Sequence, residues 1–409
     1  MDLEAKYPRF ADLPEGKAIA TDLEAMYPGV WAPLRANDSD SCVAGDRKFF
    51  LYPGLKVHTL DGRRLLFSES DQQVLQLNES ADGVVSLFAK GCTIKELSDQ
   101  RDSLVPGPPE YLHDFLLQLS RRRMLSAGHN PIGEKLYRQE LRVGWVSFQI
   151  LYFDESLGRR LAPVFAHLEC SGNTASATYN VWSQENFALI GKAGEAHAFA
   201  FERDHAAPAL KCFLMENALE NLEERLAIHA ALLGRRGDGL IAVGRPGAGK
   251  STLALALVAL GFDYAGDDVV ALDIGGSVTG LPFAPSIKSG SWPVAEGLEM
   301  LPEPPKIHKR LDGEKVRYWP LEKAPINSAL AAKWLILLNR MPNARPSVTP
   351  VDRLTALQAI TEGASTTSRK LSQAQFAALA NMVSQVTAAE LTYSSAEEAA
   401  GLLAKFCDA

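Results

Sequence analysis

Cysteine is scarce in this chain. Five occur in 409 residues (Cys42, Cys92, Cys170, Cys212 and Cys407), scattered, odd in number and without C-x-x-C spacing. That pattern suits free thiols in a reducing cytoplasm and argues against a zinc site. Long apolar runs are missing too: the stretch from Ser328 to Leu338 is interrupted by Lys333 and is too short to span a bilayer. The opening residues, Met1-Asp2-Leu3-Glu4-Ala5-Lys6, are polar and acidic, unlike a secretory signal. There is no basic excess, with 42 Lys and Arg against 49 Asp and Glu for a formal charge of −7. Neither nucleic acid nor membrane is therefore an expected partner. What remains is an ordinary globular composition, 46% hydrophobic and 22% charged, long enough for two or three domains.

The most informative stretch is Gly244-Arg245-Pro246-Gly247-Ala248-Gly249-Lys250-Ser251, which reads G-x-x-x-x-G-K-S. Gly239–Val243 before it is a short apolar run expected as a buried strand. Thr252–Leu260 after it is rich in helix formers and stops at Gly261. Such a strand–turn–helix aims unpaired N–H groups and the positive helix end at one point, where a triphosphate can bind. The expected ATP contacts are Gly244, Arg245, Gly247, Ala248, Gly249, Lys250, Ser251 and Thr252. Lys250 would reach the β/γ-phosphates and Ser251 would ligate Mg²⁺. The competing reading is a Gly-rich structural turn.

Downstream, Asp267-Asp268 precede an apolar strand, Val269–Leu272. One acid could take an acceptor's proton while the other helps hold Mg²⁺, and a solvated turn is the alternative. Lys288, Arg310 and Arg317 are candidate substrate or phosphate cations, the last two flanking a loop at Asp312-Gly313 read as a flap over the acceptor. This combination, with His229 upstream of the strand, resembles HPr kinase and its kinase-like relatives over about residues 138–355. The resemblance implies proton transfer by Asp267 and His229, metal binding by Ser251 and Asp268, and a homo-oligomer. Phe262 and Asp263 stand where that family usually has His and Arg, and the glycine-rich signature that meets HPr is missing, so HPr is not the expected substrate.

Ahead of this core, residues 1–45 read as an arm or packing segment. Leu55–Ser68 alternates around Asp61-Gly62, a hairpin signal. Val74–Leu77 makes a third strand, and Asn78 caps a helix with Val84, Val85, Leu87 and Phe88 on its apolar face. Thr93-Ile94-Lys95-Glu96 is a capping box, and Pro108-Pro109 opens a helix with Leu112, Phe115, Leu116 and Leu119 inward, ending at Arg121-Arg122-Arg123. Leu77-Asn78-Glu79-Ser80-Ala81, with Leu87 and Cys92–Leu97, resembles the PqqD family of peptide chaperones over residues 46–127. That resemblance implies binding of a precursor peptide's leader as an added β-strand. The alternative is a winged-helix-like packing module.

After a linker at 126–134, Leu141–Phe153 reads as one strand. Leu157, Leu161, Val164, Phe165 and Leu168 mark a helix, and Ala177–Trp182, Phe187–Ile190 and Ala196–Phe201 read as strands. Leu214–Leu233 reads as a helix with Glu216, Glu220, Glu223 and Glu224 outward and His229 near its end. Ala331–Leu338 reads as a strand, and the Ala-rich stretches after Ala356 as closing helices.

The expected fold class is α/β (α+β overall): a PqqD-like domain, a small β-rich subdomain over 138–235, and a P-loop HPr kinase/PEP-carboxykinase-like core over 236–409. The expected function is ATP- and Mg²⁺-dependent phosphorylation of a Ser/Thr hydroxyl on a ribosomally made precursor peptide in the cytoplasm. A sugar or nucleoside kinase and a nucleotide-gated peptide chaperone without kinase activity are the alternatives.

Overall fold

A computed structural model describes residues 47–69, 73–105, 109–131, 134–172, 174–321, 323, 325–365 and 371–409. The expected arm, 1–45, lies outside the described residues. The fold is mixed α/β, and the chain divides into a front unit (to Asn130, joined by residues 196–200) and a second unit (131–195 and 201–409).

The front unit begins with β1 (Phe49–Leu51) and continues through β2 (Leu55–Leu60), β3 (Arg63–Ser68) and β4 (Gln73–Leu77). Asp61 and Gly62 both take positive φ, 49° and 73°, as a tight hairpin turn requires, and the antiparallel sheet runs β2-β3-β4. Helices α1 (Glu79–Lys90), α2 (Ile94–Asp99), α3 (Arg101–Leu104) and α4 (Pro109–Arg121) follow. Asn78 accepts from the Ala81 N–H, and Thr93 with Glu96 closes a capping box, so two helix starts form where local chemistry places them. Val84, Val85, Phe88, Leu112, Phe115, Leu116 and Leu119 are all buried. Strand β5 (Leu125–Gly128) pairs antiparallel with β1 on one side and on the other with β10 (His197–Glu202), which comes from farther along the chain.

In the second unit, β6 (Tyr137–Val143) and β7 (Val146–Tyr152) are an antiparallel pair. The stretch Leu141–Phe153, expected as a single strand, therefore folds back on itself at Gly144, whose φ is 57°. The buried positions change from odd (Leu141, Val143) to even (Val146, Phe148, Ile150) across the turn, a phase shift that the apolar Trp145 masks in the sequence. Helix α5 (Glu155–Phe165) crosses from β7 to its parallel neighbour β8 (Ala177–Gln184), which pairs with β9 (Phe187–Lys192). Helix α6 (Ala206–Glu220) is buried on nearly every side.

The expected helix Leu214–Leu233 ends at Glu220. Beyond a turn in which Glu223 takes φ 56°, the chain forms β11 (Leu226–Ile228) and β12 (Ala230–Arg235), with His229 between them. The reason lies in the remaining elements. β13 (Asp238–Val243), α7 (Lys250–Ala259), β14 (Asp263–Gly266), β15 (Val270–Leu272) and β16 (Ser277–Gly280) come next. Then follow β17 (Ser286–Lys288), α8 (Trp292–Gly297), β18 (Ile307–Lys309), β19 (Lys315–Tyr318), β20 (Leu330–Arg340) and β21 (Ser347–Pro350). The chain closes with α9 (Arg353–Glu362), β22 (Ala364–Ser365), α10 (Gln373–Gln385), β23 (Thr387–Tyr393) and α11 (Ala396–Asp408).

A ten-stranded sheet runs β14-β12-β13-β20-β16-β15-β11-β22, with β23 beside β20 and β21 beside β23. Ala231, Leu233, Leu240 and Ala242 face α7 and α11 on one side. Ala230, Leu232, Ile241 and Val243 face α9 and α10 on the other. A strand covered on both faces carries no polar alternation, and its Ala/Leu run reads as helix.

The flap expected around Asp312-Gly313 is the β18–β19 hairpin, which joins β17 in a three-stranded sheet. Where β14 meets β16, two chain segments cross with no room for a side chain. A Cβ on Gly280 would lie 2.0 Å from the Ala265 carbonyl oxygen, and one on Gly266 (φ 143°) 2.7 Å from that of Leu281. Gly280→Ala is expected to cost about 1–3 kcal/mol and to lower Tm by roughly 3–10 °C. Gly290→Ala, which meets open space, should leave Tm unchanged in the same thermal scans.

Candidate functional site

Strand β13 delivers the chain to the loop 244–249, and α7 leaves it at Lys250. Gly249 caps the helix in the left-handed region (φ 91°, ψ 19°), and Gly247 has φ 84°. Gly244 is needed for a different reason: its Cβ would sit 3.0 Å from Leu338 Cβ on the neighbouring parallel strand. The Tyr393 hydroxyl donates to the Ala248 carbonyl at 2.5 Å, tying the loop to β23. Lys250 is buried, and its ammonium donates back to the loop carbonyls of Gly244 (2.8 Å) and Arg245 (3.4 Å). Burial pushes its pKa down, against the opposing charges of Asp268 and Asp267. Ser251 and Thr252, half-buried, complete the first turn of α7.

Asp267 and Asp268 follow β14, which is separated from β13 by β12. The two acids have different surroundings. Asp267 is 1% exposed, and its Oδ2 makes no hydrogen bond. Its Oδ1 lies 2.8 Å from the Tyr264 hydroxyl, which is also 2.8 Å from the Phe283 carbonyl oxygen. One hydroxyl proton cannot fully serve both acceptors, so a proton on Asp267 would satisfy this group. Consistently, burial and then the charge of Asp268 raise the Asp267 pKa, while Lys211 and the Ser251 and Tyr264 hydroxyls oppose them. The Asp268 side chain is about a third exposed, at 32%. Burial would raise its pKa, but Lys211 above all, then His229 and Arg310, hold it below the ordinary carboxylate value.

Lys211 is the residue that motif reasoning did not find. It projects from α6, is buried, and places Nζ 2.5 Å from Asp268 Oδ2. Phe283 and Tyr318 rings lie 5.5 and 5.7 Å from the ammonium. Burial alone would strip its proton, but Asp268 and then Asp267 outweigh that and raise its pKa above the usual lysine value. The available signal was a lone charge in the otherwise apolar run Ala206–Leu214.

His229 is exposed, held by its N–H to the Gly363 carbonyl, and its Nδ1 lies 2.8 Å from the Asp268 carbonyl oxygen. Donation from Nδ1 leaves Nε2 as the open acceptor. The three candidate cations diverge. Arg310 pairs with Asp312 at 3.0 Å, and its charge acts on Asp268. Lys288 lies 3.6 Å from Glu314. Arg317 donates to Glu296 at 2.5 Å and covers the Trp292 ring at 4.2 Å, so it braces α8.

No cluster of three His, Cys, Asp or Glu side chains able to hold a metal occurs among the described residues. The donor set fits Mg²⁺ nonetheless, because that ion keeps several waters and takes one or two carboxylates plus substrate phosphate. The unpartnered Asp267 Oδ2 and the adjacent Ser251 hydroxyl are the groups that would hold it.

Two histidines, the half-buried His167 and the buried His308, are held in the neutral form. His167 Nε2 lies 3.0 Å from the Pro282 carbonyl oxygen, and burial pushes its pKa down to about 4. His308 on β18 is likewise pushed down to about 4, chiefly by burial. The unfolded chain binds these protons from about pH 6.5, whereas the folded chain resists them until about 4. Their contribution to stability is therefore complete above 6.5 and lost as pH falls towards 4. Urea titrations across that window should show the decline, and His167→Gln or His308→Gln should flatten it.

No protein-family model matches the chain, and no curated protein matches it in sequence.

Proposed function

We propose that this protein is an HPr kinase-like P-loop kinase. It would transfer the γ-phosphoryl group of ATP, with Mg²⁺, to a Ser/Thr hydroxyl of a ribosomally made precursor peptide. The single observation that carries the reading is the convergence of a glycine-turned helix start, Lys250 and two dissimilar carboxyls on one small region. Phosphoryl transfer through a loose transition state needs positioning and charge stabilisation more than covalent chemistry, and these groups can supply both.

The N–H groups of the loop and first turn of α7 bind phosphate oxygens, and the Lys250 ammonium exchanges its loop carbonyls for the β/γ-phosphates. Bound Mg²⁺ supplies neutralisation of phosphate charge. The geometry favours exchanging the two aspartate roles expected from resemblance. Asp267, enclosed beside Ser251 with an unused oxygen, suits the metal. Asp268, more exposed and close to His229 and Arg310, suits the acceptor hydroxyl. A weakly basic carboxylate suffices when proton loss follows most of the P–O bond breaking.

The PqqD-like reading of the front unit has its own support. In the β2-β3-β4 sheet, β2 and β4 each pair on one side only among the described residues, and each carries an exposed apolar residue, Leu60 and Val74. A leader peptide can add a strand to such an edge. Holding the leader raises the acceptor's effective concentration, so the reaction site need not grip it tightly.

The test is incubation of the full chain with ATP, Mg²⁺ and Ser-containing peptides with and without a leader. Leader-dependent phosphorylation is expected. Lys250→Ala should abolish ATP binding, and unchanged affinity would remove the loop from the mechanism. Asp268→Asn should keep ATP and lose at least about 10²-fold in rate, whereas Asp267→Asn should chiefly weaken Mg²⁺-dependent binding. Phosphorylation of sugars or nucleosides would instead support a small-molecule kinase, and binding without turnover a nucleotide-gated chaperone. In the same full chain, Leu60→Lys or Val74→Lys should weaken binding of a fluorescent leader peptide about 10-fold and spare ATP affinity. Leader binding untouched by both variants would move the peptide off the sheet edges.

A further inference from the structure

Packing does not explain the charge at position 211. The residues around it on α6, including Ala207, Leu210 and Leu214, are fully buried and apolar, and a leucine or methionine would serve that interface without a desolvation cost. The ammonium instead meets Asp268 Oδ2 at 2.5 Å, between the Phe283 and Tyr318 rings. Rings at that distance hold a cation in place without competing for its protons. Asp268 is thereby fixed by one buried side chain from a helix that contributes nothing to the loop 244–249.

We infer that Lys211 is a positioning residue of the transfer site, acting through Asp268 to hold its carboxylate where an acceptor hydroxyl arrives; the inference rests on the kinase reading above. Its role differs from that of Lys250. The loop lysine donates only to carbonyls that a phosphate can replace, so it is free to follow the nucleotide. Lys211 is already committed to a carboxylate and enclosed, so it stays with the acid. The other groups whose charges bear on Asp268 include Asp267, Lys250, His229 and Arg310. Of these, His229 is exposed and Arg310 is half-exposed and paired with Asp312, so neither is suited to fixing its geometry.

A kinetic double-mutant cycle on the full chain tests this. Lys211→Met should keep Mg·ATP affinity within about twofold while kcat falls about 10²-fold, the scale of a misplaced reacting group. Lys211→Arg, which keeps the charge, should recover at least about tenfold of that loss. Lys211→Met with Asp268→Asn should be no slower than Asp268→Asn alone, because one residue acts through the other. Multiplying losses would mean that Lys211 acts directly on phosphate, and an unchanged kcat in Lys211→Met would remove its role; either result overturns the inference. If the wild-type chain binds Mg·ATP but transfers nothing, the kinase reading falls and takes this inference with it, an outcome distinct from an active wild type with an indifferent Lys211. Should Lys211→Met fail to fold, the wild-type protein decides through the NMR signal of the Lys211 ammonium with a non-hydrolysable ATP analogue bound. A persisting pair with Asp268 supports the inference, and a pair broken by nucleotide overturns it.

Discussion

Two ammonium groups and two carboxyls share the enclosed ground at the start of α7, and their mutual compensation is the constraint on which this part of the protein rests. Burial penalises each ion separately, pushing Lys250 towards neutrality and Asp267 towards its acid form. The Lys211–Asp268 pair escapes that fate because the partners touch. A site with one paired acid and one reluctant acid has two different carboxyls from adjacent positions in the chain. On the function proposed above, their separation into distinct chemical environments would serve metal binding and proton acceptance at neighbouring points.

The large sheet makes this arrangement possible. With helices on both faces, β12, β13 and β20 form a rigid platform whose register sets where the loop 244–249 emerges. The acids arrive from β14, across β12, and the tight crossing at Gly266 and Gly280 leaves the chain little freedom just before Asp267. Buried strands therefore act at a distance, converting packing precision into the placement of a few polar atoms.

Local chemistry made much of this legible in the amino-acid order. Asp61-Gly62, Asn78 and Thr93–Glu96 form the turn and caps their side chains dictate, since each depends on neighbours within a few positions. The strand–loop–helix around Lys250 is equally local, as are the adjacent acids. Two departures have separate causes. The run Leu226–Leu233 resembles a helix because both faces of β11 and β12 are covered, and Leu141–Phe153 conceals a turn because the apolar Trp145 masks the shift of phase beside Gly144.

The sequence by itself determined the helix caps, the hairpin turn, the glycine-rich loop and the presence of two neighbouring carboxyls, all of which arise from contacts short in the chain. Only the tertiary structure decided which carboxyl is enclosed, which cations remain near it, and that Arg317 turns to Glu296 and Trp292. It also brought Lys211 to Asp268, 57 positions away. Charge on a side chain is written in the sequence, but its partner and its exposure to water are properties of the packed interior, and those set what the charge can do.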